Sequence, residues 1–67
     1  MNITPIAEYY NPNRWEQTMT LNRIEENGNT YYSIRSMSYG KDYRTFRGAK
    51  TALTRNGFTF VKSYEED

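Results

Sequence analysis

Read from the tryptophan onward, the chain alternates. Trp15, Gln17, Met19 and Leu21 fall on one side of an extended segment, and Glu16, Thr18, Thr20 and Asn22 on the other. That period of two predicts a half-buried strand. The alternation breaks near Ile24, where a bulge is expected. Asn27-Gly28 follows inside "ENGN". This pair favours a two-residue hairpin turn because both central positions need positive φ. A second strand, "TYYSIRSMSY", should return along the first, with Tyr32 and Ile34 on one face and Tyr31, Ser33, Arg35 and Met37 on the other. Gly40-Lys41 reads as a tight turn into a third strand, "DYRTF".

The period then lengthens. Thr45 is placed to cap a helix from Phe46 to Asn56, in which Ala49, Ala52, Leu53 and Asn56 recur at helical spacing. Gly57 is expected to end it in the left-handed conformation. "FTFVKSY" reads as a last short strand and "EED" as a solvated tail. The first twelve residues are expected to form a short helix or an extended arm. Thr4 could cap such a helix, Pro5 suits its first position and Asn11-Pro12 would end it, while Ile6, Tyr9 and Tyr10 pack on the domain.

These elements define an α+β fold: a three- to four-stranded antiparallel meander packed against one short helix, in the order β-β-β-α-β, behind the N-terminal segment. A single domain over residues 1–67 is expected, with sheet and helix in 15–62 and an acidic tail in 63–67.

Composition changes the picture in one respect. Leu, Ile, Val and Phe number only ten in 67 residues, but seven Tyr and one Trp add apolar area, and the net charge is only +1. A folded domain with an aromatic-rich core is expected, Tyr9, Tyr10 and Trp15 among its packing residues. A chain this short buries only about 60% of its unfolded surface, so docking on a partner or on a second copy is a natural further source of stability.

Charge is unevenly distributed. Over residues 35–62, Arg35, Lys41, Arg44, Arg47, Lys50, Arg55 and Lys62 face Asp42 alone, whereas residues 1–34 carry a net −2 and the last three residues −3. On the expected helix Arg47, Lys50 and Arg55 lie opposite the alanine stripe. With Arg35, Lys41, Tyr43 and Arg44 they make a candidate nucleic-acid-binding surface, since cations release phosphate counterions and aromatic groups stack or hydrogen-bond. Tyr31 and Tyr39 are candidate contact residues beside it. The alternative is that basic and tyrosyl residues are the outer surface of a small protein-interaction factor, such as an accessory or inhibitor protein of a phage or mobile element, docking on a larger partner.

Enzyme chemistry is not expected. Neither His nor Cys is present, and the carboxylate pairs Glu25-Glu26 and Glu65-Glu66 lie beside a turn and in the tail. No metal-ligand spacing or phosphate-cradling motif occurs, so no cofactor is expected. No run is long and apolar enough for a membrane span, and "MNITPIAEYY" lacks the features of a signal peptide, so a cytoplasmic location is expected.

In its order of elements, the stretch from Trp15 to Gly57 resembles small DNA-binding domains that pack one helix on a three-stranded sheet, namely the arm-binding domains of tyrosine recombinases and the ethylene-response-factor domains. The features shared are the early Trp15, the hairpin, the Lys-bearing "YGKDY" and an aromatic before an alanine-bearing helix, "FRGAKTAL". In those families the sheet enters the major groove, which would turn Arg23, Arg35, Tyr31 and Arg44 toward DNA. The strand expected after the helix departs from that pattern. The same strand, and the shortness of the helices, also separates the chain from double-stranded-RNA-binding domains.

Overall fold

A computed structural model describes residues 1–15 and 17–64. Five strands and one helix follow in order: β1 (Asn2–Tyr10), β2 (Thr18–Glu26), β3 (Asn29–Arg35), β4 (Gly40–Tyr43), α1 (Phe46–Arg55) and β5 (Thr59–Ser63). All pairings are antiparallel, and the sheet order is β4-β3-β2-β1-β5. The α+β meander with one covering helix is therefore present, with two strands more than the central three.

Local signals account for the centre of the sheet. Asn27 and Gly28 have φ of 52° and 81°, and Glu26 pairs with Asn29 across a two-residue turn. Both ends of α1 are capped as their residue types require. Thr45 Oγ1 accepts a hydrogen bond from Gly48 N at 3.0 Å. At the far end Gly57 has φ +83°, Phe58 N donates to Leu53 O and Gly57 N to Thr54 O, which together form a Schellman motif.

Of the two forms expected for the N-terminal segment the extended one is present, as a full strand with Ile6 and Tyr9 buried, and not the helix. β1 lies between β2 and β5, so both its edges are paired. Pro5 could have opened a helix, but here it sits where the β1–β2 register shifts, between Pro5 and Ala7. A residue without an N–H is tolerated at such an irregularity. The helix that Thr4-Pro5 could have started would have been only about six residues long, too short to hold without tertiary support. The two-sided ladder outweighs it.

One side of the sheet carries the helix. Ile6, Ala7, Tyr9, Met19, Leu21 and Ile34 form the core with Ala49, Leu53 and Phe58, and Tyr32 and Tyr43 pack against it. Ala49 is fully buried, and its small side chain lets the helix axis approach the sheet. Phe46, the first residue of α1, is 42% exposed and meets Tyr32 edge-on at 5.9 Å.

The opposite side of the sheet is bare of helix. Strict alternation in β2 sends Ile24 to that bare face, paired with Ile3 and Tyr31. No bulge occurs there: the β2–β3 register is continuous, and the break in the apolar pattern is a change of face. The irregularities fall in β1 against β2 and in β5 against β1.

Two aromatic assignments are corrected. Tyr10 is 41% exposed, because it follows Tyr9 and therefore points away from the core. Trp15 is 96% exposed; it lies in the β1–β2 loop, ahead of the strand that was expected to carry it inward.

Candidate nucleic-acid interface

The helix positions most of the candidate cations. Ala49 and Leu53 are buried on its inner side, and Arg47, Lys50, Thr51, Thr54 and Arg55 are exposed on its outer side. Lys50 Nζ lies 5.9 Å from the centre of the Phe46 ring. Lys41 pairs with Ile34 and so projects to the helix side of β4, its Nζ 5.6 Å from the centre of the Tyr43 ring. Tyr43 is half-buried against the core, and Arg44 is exposed in the turn before α1.

Lys41, Arg47, Lys50 and Arg55 thus share the helix layer, and Arg44 is exposed in the turn that leads into it. Asp42, the one acidic residue among them in sequence, faces the other way, opposite Ser33. Among the described residues, none of these five cations has a carboxylate within ion-pair distance; the pair seen is Arg23–Glu25, at 3.9 Å. An exposed pair of that length adds little to stability.

Two candidates belong elsewhere. Arg35 and Tyr31 alternate onto the bare face of the sheet, away from the helix cations. Arg35 Nε donates to Ser33 Oγ at 3.1 Å, which folds its stem over the strand. Partial burial, then the nearby Glu26 and Asp42 carboxylates, push the Tyr31 hydroxyl above its ordinary pKa, with Arg35 acting in the opposite direction.

Tyr39 lies in the loop between β3 and β4, 43% exposed. That loop and the β1–β2 loop stand side by side at one end of the sheet, and here the residues missed by sequence reading come together. Trp15 and Met37 are both almost entirely exposed, at 96% and 102%, and line one cleft with Gln17, Thr18, Ser36 and Ser38. The missed signal was the loop chemistry of "NPNR" directly before Trp15, which marks turn and not strand.

Asn11 anchors this end. Its side chain donates to Asn56 O at 2.9 Å and accepts from Asn13 N at 2.9 Å, while its backbone N donates to Gln17 O at 2.8 Å. The C-terminus of α1 is thereby tied to the loop that carries Arg14 and Trp15. Arg14 in turn lies 5.9 Å over the Phe58 ring.

Among the described residues no group of three or more His, Cys, Asp or Glu converges on a point where a metal could sit, and no helix is long and apolar enough to cross a membrane. Set against known proteins, the chain matches no family model, no curated protein and no solved structure.

Proposed function

We propose that the protein is a non-enzymatic nucleic-acid-binding module that holds the phosphate backbone on its helix layer. One observation carries the reading: Lys41, Arg47, Lys50 and Arg55 are exposed on the side of the sheet that bears α1, with Arg44 exposed in the turn beside them, and none has a carboxylate partner among the described residues. Cations left unpaired on one layer attract a polyanion and release its counterions. Thr51, on the same helix face, adds a hydroxyl group of the kind that hydrogen-bonds phosphate oxygens. Arg35 and Tyr31 are left out of this surface, because the alternation of β3 turns them to the other face.

The test is binding of labelled duplex DNA by fluorescence anisotropy across a salt series. Lys50→Glu with Arg55→Glu should abolish binding at about 100 mM salt while the circular dichroism spectrum stays unchanged. Retained affinity in that double variant would refute the reading.

A second reading, a factor that docks on a larger protein, draws on a different observation. All five residues of β5 are exposed and β5 is an edge strand of the sheet, with Phe60, Val61 and Tyr64 around it. An exposed edge of this kind can accept a strand from a partner. Salt separates the two, since phosphate contacts weaken steeply with ionic strength and an apolar-anchored contact does not.

A further inference from the structure

The cleft between the two loops has a composition of its own. Trp15 and Met37 are the two most exposed large apolar side chains of the described residues, and both open into the same space of about 570 Å³. It continues onto the bare sheet face, past Thr20, Asn22 and Arg35, through the shared residues Thr18, Ser36 and Met37. On the other side it runs to Arg14 and Tyr39 through Trp15 and Ser38. An aromatic platform therefore lies between two arginines, and no carboxylate of the described residues lines any of the three stretches.

We propose that this cleft binds an unpaired strand of nucleic acid, with a base stacked on Trp15 and the flanking phosphates held by Arg14 and Arg35. The inference takes the partner class from the reading above but places a second, separate site at the loop end of the sheet. Three features favour this occupant. An indole exposed on both faces can stack on any base, whereas the bases of a duplex already stack on one another. Charge complementarity requires an anion at both ends of the platform, and a nucleic-acid strand repeats anion and flat ring in that alternation. The walls around Trp15 and Met37 are short and polar: Gln17, Thr18, Ser36 and Ser38. A protein hot spot would instead seat the tryptophan in a well-packed, desolvated surround. Arg35 donates its Nε–H to Ser33 Oγ, which fixes its stem at this end of the sheet.

Trp15 is the only tryptophan of the chain, so its emission reports the site directly. The probe is oligo(dT) of about a dozen nucleotides, within the span one small module covers. Saturable quenching of Trp15 emission by oligo(dT) is expected, with little quenching by inorganic polyphosphate or polyglutamate of matched charge. Binding of labelled oligo(dT), followed by anisotropy, should weaken about 5- to 150-fold in Trp15→Ala, the range that one base–aromatic stack spans, and recover in Trp15→Phe. Equal quenching by polyphosphate or polyglutamate, silence toward oligo(dT), or unchanged affinity in Trp15→Ala would each overturn the site. Because Trp15 is almost wholly exposed, Trp15→Ala should fold as the parent does. Duplex binding that depends on Lys50 and Arg55 while Trp15 stays silent removes the cleft and leaves the helix-layer reading standing. Loss of both removes both.

Discussion

Gly57 is the position where one added methyl group should do most harm. Its φ of +83° is strained for any residue with a Cβ, and that Cβ would lie 3.0 Å from Asn11 Nδ2. The backbone strain of Gly57→Ala is about 1 to 2 kcal/mol. The contact adds to it, because Asn11 is buried and its amide already donates to Asn56 O. Moving it breaks that bond or leaves a buried donor unsatisfied, a loss of about 1 to 3 kcal/mol. Together they give roughly 2 to 5 kcal/mol, comparable with the whole stability of about 3 to 5 kcal/mol that a core of this size supplies. The melting temperature should fall by roughly 10 to 40 °C.

A double-mutant cycle separates the two parts. In an Asn11→Ala background the steric conflict is gone, and Gly57→Ala should cost only the backbone strain, so the coupling energy is about 1 to 3 kcal/mol. Equilibrium urea unfolding of the four proteins, all in the same stabilising osmolyte so that the double variant retains a folded baseline, provides the numbers. Equal costs of Gly57→Ala in the two backgrounds would refute the steric argument. A cost below about 0.5 kcal/mol in either would refute the strain argument as well.

Other outcomes follow from the same structure. Leu53→Ala removes a buried side chain from the helix–sheet core and should lose about 2 to 5 kcal/mol, measured by urea or thermal unfolding. Truncating the outer helix cations by Lys50→Ala with Arg55→Ala should lower the slope of log K against log salt for duplex DNA by about 2, with stability unchanged within about 0.5 kcal/mol. Burial holds the Tyr9 hydroxyl above its ordinary pKa of 10.0, and Tyr31 is raised too, so the neutral phenols favour the folded state. That stability is complete below pH about 10, where unfolded tyrosines are also neutral, and declines as pH rises through the folded values. Thermal melts across that range should show the decline, and Tyr9→Phe should reduce its slope.

Much of the fold could be read from short-range signals because those signals decide those elements. Asn27-Gly28 fixes one turn by its own backbone preference, and Thr45 and Gly57 bound α1 through bonds to residues three or four positions away. The strand character of Asn2–Tyr10 is different in kind. It comes from pairing with β2 and with a strand some fifty residues on, as at Tyr9 and Phe60. Thr4-Pro5 meanwhile carries a local cue for a helix.

The candidate surface divides along the same line. Helical spacing alone placed Arg47, Lys50 and Arg55 outward. Arg35 and Tyr31 were grouped with them by sequence proximity, but the pleat of β3 separates them. The alternation points Trp15 inward, because an apolar residue two positions before Gln17 extends it. Proximity to a turn was the better guide.

The neighbouring of β1 and β5 has a bearing on how the molecule matures. During synthesis the first strand leaves the ribosome long before its outer partner, so Tyr9 and the edge beside it wait uncovered while the hairpins and helix form. Contacts this distant along the chain slow folding and lengthen exposure to aggregation. A chaperone or a nascent neighbour able to lend a strand would find its opening in that interval, and would lose it once Phe60 arrives.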